Sequence, residues 1–238
     1  MIVRRNGSSQ LLITQPDHAS LAAHVIRKWR ADRFADSVRR DVILLAVDQH
    51  DNGWLEVDAA PLRDPITGRV LDFIHAPDDV RQAIWPRGVE RLGRQPSAAA
   101  LVAHHAVHVY SHYRGNPRWL AIFDAMERTR DRYLRAAGME LDEMLHDYRF
   151  VRLGDLISLS FCTGVDIEGS HGGYQVRLDG SRVLVTPDPF DGATVPLEVR
   201  AREMVDHPFA TDAEAAAAFA SARLLTVSGT VVGTCANG

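Results

Sequence analysis

Cysteine and lysine are almost missing from this 238-residue chain, which has two cysteines, Cys162 and Cys235, and one lysine, Lys28. Two thiols cannot build a disulfide framework, so a reducing, cytoplasmic setting is expected. Cys162 reads as helix core and Cys235 as part of the tail. Long apolar runs are also missing: nothing approaches the roughly 20 residues that span a bilayer. Leu11-Leu12-Ile13 is too short for a secretory apolar segment, and no membrane contact is expected. The net charge is only −4, with no basic run and no interleaved aromatic patch. That excludes duplex nucleic acid as a partner while leaving a nucleotide admissible as a small substrate. There is no internal repeat and no low-complexity linker.

What is present divides near residue 163. Residues 1–163 read as helical apart from a short strand near Leu11 to Thr14. Thr14 and Asp17 are placed to cap a helix with Pro16 in its first turn, and Asn116-Pro117 opens another that Gly138 ends. Beyond residue 164 the period falls to two. Tyr174, Val176 and Leu178 alternate, Asp179-Gly180 turns the chain into Val183-Leu184-Val185, and Leu197, Val199 and Ala201 alternate again. An Ala-rich helix over 213–222 precedes further strands at 224–227 and 230–232. The expectation is a mainly α fold: a helical bundle over 1–163 with a small β-rich appendage over 164–238, as a separate unit or part of the same domain. A homo-oligomer is left open.

The chemistry-bearing residues are polar side chains on apolar helical faces. His50, followed by Asp51, closes the helical run Val42 to Val47 on the face of Ile43 and Val47. His18 shares a stripe with Leu21, Ala22, Val25 and Trp29, and Asp155 shares one with Val151, Leu159 and Cys162. A buried carboxylate there is costly unless a cation or strong donors meet it. Between them, Leu101, His105, His108 and His112 share one face while His104 tilts away, and such a histidine-rich face suits a metal or a polar cleft. The segment leaving the His-Asp pair supplies Trp54 as a candidate pocket wall and Asp58 as a candidate acceptor behind the site. His75, His146, His171 and His207 are expected to be solvated.

The order His18, His50-Asp51, histidine-rich helix, Asp155 resembles the HD-domain superfamily. More closely, the chain is similar to an uncharacterised bacterial family within it, through Gln15-Pro16-Asp17-His18-Ala19, His50-Asp51-Asn52-Gly53-Trp54, Asp155-Leu156-Ile157-Ser158-Leu159 with Cys162, and Pro187-Asp188-Pro189-Phe190. The resemblance implies an HD-like bundle in which His18, His50, Asp51 and Asp155 hold one divalent ion of iron, manganese, cobalt or magnesium. It further implies that Asp51 bridges to a second ion held by His105 and then His108 or His112, with Asp51 and His105 taking part in catalysis. Many HD phosphohydrolases follow the His-Asp pair with Gly-Lys; here Gly53-Trp54 stands in that place, so a phosphate would need an arginine, with Arg114, Arg149 and Arg152 as candidates. The implied function is a metal-dependent hydrolase of a phosphoester or nucleotide-like small molecule. The alternatives are a di-iron oxygenase and a metal-stabilised binding or regulatory protein.

Overall fold

The computed structural model describes residues 1–235. The chain opens with a hairpin of β1 (Ile2–Asn6) and β2 (Ser9–Ile13). Thr14 then caps α1 (Gln15–Ile26), its hydroxyl oxygen accepting from the Asp17 amide while Pro16 fills the first turn. α2 (Arg40–Gln49) ends at His50, and a 3-10 turn over Asn52–Trp54 follows. α3 (Asp78–Arg91), α4 (Pro96–Val109), α5 (Pro117–Ala137) and α6 (Leu141–Thr163) complete the helical layer. Asn116 caps α5, and Gly138 ends it with a left-handed φ of 61°.

The expectation of a mainly α fold with a small β appendage is corrected. About 50% of the chain is helical and 21% lies in strands of one mixed sheet, which makes the fold α+β. The rest of that sheet is β3 (Gly169–His171), β4 (Tyr174–Asp179), β5 (Arg182–Thr186), β6 (Thr194–Val205) and β7 (Arg223–Gly233), with α7 (Asp212–Ser221) inserted before β7. The order is β1-β2-β6-β7-β5-β4-β3, parallel only between β5 and β7. Asp179-Gly180 forms the expected turn between β4 and β5, with Gly180 at φ 63°. The physical reason for the correction is the N-terminal hairpin. β2 pairs with β6, Leu12 opposite Arg202, so strands from both ends of the chain share one sheet, and no local pattern announces a pairing that distant.

Val195, Leu197, Val199 and Ala201 of β6 are buried in one continuous core with the inward faces of α1, α2, α4 and α6. A smaller cluster of Met1, Leu12, Val70, Met204, Phe209, Ala215 and Phe219 involves α7. Two glycines set the helix spacing near the site. A Cβ on Gly154 of α6 would stand 3.0 Å from both Ile26 of α1 and Val47 of α2. A Cβ on Gly53 would collide with the Ile84 carbonyl of α3, so Gly53 is demanded by a close approach and not only by the end of a helix. No helix of the described residues is long and apolar enough to cross a membrane.

Candidate metal centre

α1, α2 with its terminal residues, α4 and α6 each deliver a polar side chain to one point inside the core. His18, His50, Asp51, His105 and Asp155 are all buried, His18 completely. His18 lies one turn into α1, while His50 ends α2, where the unwinding backbone lets Asp51 turn to the same side. Nε2 of His18 and Nε2 of His50 are 3.1 Å apart. Asp51 Oδ2 stands 3.5 Å from both of these nitrogens, and Asp155 Oδ1 3.4 Å from His18 and 3.7 Å from His50. His105 Nε2 approaches the other Asp155 oxygen at 3.9 Å.

The outer nitrogens show which atoms face inward as acceptors. Nδ1 of His50 lies 2.7 Å from the Val47 carbonyl, which can only accept, so Nδ1 carries the hydrogen and Nε2 the lone pair. Nδ1 of His18 lies 2.8 Å from Ser158 Oγ. That hydroxyl has one hydrogen and donates it to the Gly154 carbonyl at 2.8 Å, so it accepts from His18 and again leaves a lone pair on Nε2. Two lone pairs 3.1 Å apart repel unless a proton or a cation lies between them. Nδ1 of His105 is held 3.0 Å from the Tyr148 hydroxyl.

These donors fit a divalent ion. Ligands at about 2.1 Å in a tetrahedral shell are separated by about 3.4 Å, close to the 3.1 to 3.7 Å observed. Two buried groups, His18/His50/Asp51 and His50/His105/Asp155, bring candidate ligand atoms within 4.8 Å of one another and can hold a metal ion. Electrostatics follows from burial and charge. Burial opposes ionisation of Asp155, yet hydrogen bonds from His18 and His50 and the charge of Arg152 hold it well below the usual carboxylate range. Asp51 is lowered too, against burial, chiefly by His50 and His18. His18 is raised well above its ordinary value because Asp155 and Asp51 outweigh burial. Burial alone dominates at His105 and pushes it down to about 3.

A cavity of about 440 Å³ opens onto Asp51, His105 and Asp155. Trp54, Trp85, Tyr110 and Phe73 give it an aromatic wall, and Arg81 and Arg152 line it with positive charge. Arg152 Nη1 is 2.5 Å from Asp155 Oδ2. Arg81 donates to Tyr113 OH at 3.0 Å and to Asp78 at 2.6 Å.

The other sequence-derived candidates fall at varied distances from this cavity. Trp54 is on its wall, as is His108. Asp58 is elsewhere: its carboxylate accepts from the Gln15 amide at 2.6 Å and lies 2.6 Å from the Met1 amino nitrogen, which anchors β1 and the start of α1. His112 reaches the cavity from the 3-10 turn Ser111–Tyr113 and is exposed, because α4 stops at Val109. His104 leaves the centre and packs on Tyr148 at 4.5 Å. Of the three candidate arginines, Arg114 pairs with Glu127 and Arg149 with Asp32, and Arg152 lines the cavity. His75, His146 and His207 are exposed, whereas His171 is half-buried against His108. Sequence reasoning missed Arg81, Trp85 and Gln15. Gln15 had a signal, since it stands three residues before His18 on the same helical face.

The family described as Protein of unknown function (DUF3891) matches residues 1–206, and the chain belongs to it. No curated protein and no solved structure matches the chain.

Proposed function

We propose that this DUF3891 protein is a divalent-metal-dependent hydrolase of HD type, acting on a small anionic ester of the phosphoester or nucleotide class. The observation that carries the reading is the convergence of imidazole Nε2 atoms and carboxylates at the floor of a cavity with two guanidiniums on its wall. His18, His50, Asp51 and Asp155 would hold the ion. When bound, it would supply Lewis acidity and lower the pKa of a water molecule. Two carboxylates balance one divalent ion, so Arg152 gives the loaded cavity a positive wall suited to an anion, while the charge of Arg81 is met by Asp78. Arg152 also keeps Asp155 ionised and oriented. His105, kept neutral by burial, is available as a proton acceptor or as a further ligand. Trp54, Trp85 and Tyr110 line the cavity and would give a planar group apolar surface to pack against.

The test is protein reloaded with Mn(II) without oxygen and offered a panel of phosphomonoesters and nucleotides. Cleavage that Asp51→Ala abolishes is expected. The second group, His50/His105/Asp155, shares His50 with the first and supports a second reading, a di-iron oxygenase. Turnover only with iron and O₂ would move the assignment there. No turnover in either regime, with an ion that merely raises Tm, would favour a binding or regulatory role. A small-molecule partner and a cytoplasmic location accompany the hydrolase reading.

A further inference from the structure

We propose that His108, His171 and the outer donors of Arg152 form a subsite for a second phosphate, so that the substrate is a small ester with one anionic group at the ion and a phosphate further out. His105 and His108 stand three residues apart on α4 and share a face, and the helix rise sets His108 about 4.5 Å beyond His105. His105 belongs to a group that can hold the ion, whereas His108 lies outside both such groups while lining the same cavity. β3, at the edge of the sheet, brings His171 against His108, with ring centroids 5.6 Å apart at 74°. Arg152 of α6 joins the centre to this outer position. Its Nη1 is taken by Asp155, while Nε and Nη2 have no partner among the described residues.

Every group at this position is a donor in search of an acceptor. Neither His108 nor His171 makes a hydrogen bond or an ion pair among the described residues, and a neutral imidazole keeps one N–H to donate. Both rings are half-buried, so each can turn that N–H toward a ligand. In contrast, Nδ1 of His18, His50 and His105 is already engaged. The local charge is positive: after burial, His108 and Arg152 hold His171 down to about 4, and Arg152 likewise lowers His108. Asp155, the carboxylate that acts on His108, is committed to Arg152 and to the centre. Imidazole N–H groups from α4 and β3 beside the free edge of a guanidinium from α6 meet the oxygens of a phosphate from three directions. The same charges disfavour a cation. That this phosphate belongs to a substrate rests on the hydrolase reading; its binding does not.

The experiment is a titration of the metal-free full chain with inorganic phosphate, followed through the imidazole resonances. Those of His108 and His171 are expected to shift together along one saturable curve, while that of the exposed His75 stays still. His171→Ala should weaken phosphate binding about tenfold, and His171→Glu, which sets a negative charge in the subsite, should abolish it. The Mn(II)-loaded protein supplies a second readout. Its preference for a nucleoside bisphosphate over the corresponding monophosphate, taken as a ratio of kcat/KM, should fall about tenfold in His171→Ala. Unmoved His108 and His171 resonances in concentrated phosphate, or an unaltered ratio, would overturn the subsite and leave the hydrolase reading standing. Phosphate binding that both variants weaken, in a protein that cleaves no ester, would uphold the subsite and remove the hydrolase reading. Should a variant misfold, the wild-type resonances decide.

Discussion

On the sheet, β6 turns Val195, Leu197, Val199 and Ala201 inward, and its backbone groups are satisfied by β2 and β7. Between α1, α2, α4 and α6 the same depth of burial is given to His18, His50, Asp51, His105 and Asp155. Along β6 the sheet side follows the ordinary rule of apolar residues inside, though β2 buries Gln10. The helical side breaks it at these five positions among others, Gln15 and Asp147 included, and compensates with partners drawn from distant parts of the chain, such as Ser158 for His18 and Tyr148 for His105. Burying ionisable groups costs several kcal/mol unless each finds a partner. The contrast locates the chemistry in the helical layer and leaves the sheet as the support against which α1 and α6 are packed.

Removing a central charge should separate the two regions most sharply. Asp155→Ala would leave Arg152 and a raised His18 without their carboxylate, and it should lower metal-free stability by about 4 kcal/mol and abolish ion binding. Calorimetry of metal binding beside denaturant melts checks both, and retained ion binding would remove Asp155 from the centre. A cut of similar depth in the sheet should behave differently. Leu197→Ala, at a fully buried position, should cost about 3 kcal/mol yet leave the ion stoichiometry unchanged. Loss of ions in that variant would mean that the sheet is not a passive support.

A smaller effect is expected behind His18. Ser158→Ala removes the group that fixes its tautomer, and it should weaken ion binding roughly 10- to 100-fold while lowering stability by only about 1 kcal/mol. Equal losses in apo and loaded protein would reduce Ser158 to a packing residue. The smallest effect is a slope in pH. In metal-free protein His105 is held at about 3 and His104 and His171 at about 4, chiefly by burial. The unfolded chain, with histidines near 6.5, therefore binds protons that the folded chain refuses, and stability should fall as pH drops from 6.5 to 4. His18, raised in the fold, acts in the opposite sense: its contribution is present below 6.5 and is lost as pH rises through its folded value. His108 is lowered too, and below 6.5 the contribution of His18 no longer changes, so Tm should decline with acid, and His171→Gln should flatten the decline slightly. A Tm that rises on acidification would reverse this order.

Much of this was legible in the residues. Thr14-Gln15-Pro16-Asp17 announced the start of α1, Asp179-Gly180 the β4–β5 turn, and a polar residue on an apolar stripe the inward direction of His18, His50 and Asp155. Each is a local property, written within one or two helical turns or one hairpin. Less local features were not legible. Asp58 looked like a site residue because it follows Trp54, but it serves the backbone of Gln15 and Met1. His112 carried the periodicity of α4 past its end at Val109. The close contact of Gly53 with Ile84 depends on how α3 folds back.

The sequence by itself determined many of the helices and C-terminal strands, though not β1, and the inward direction of His18, His50 and Asp155, because caps, turns and periodicity act between near neighbours along the chain. Only the tertiary structure decided that the N-terminal hairpin joins the C-terminal strands in one seven-stranded sheet, that Arg81 faces the cavity, and that His171 meets His108. Those outcomes depend on the closure of long loops and on the packing of whole layers, and nothing in the residues on either side of such a contact encodes it alone.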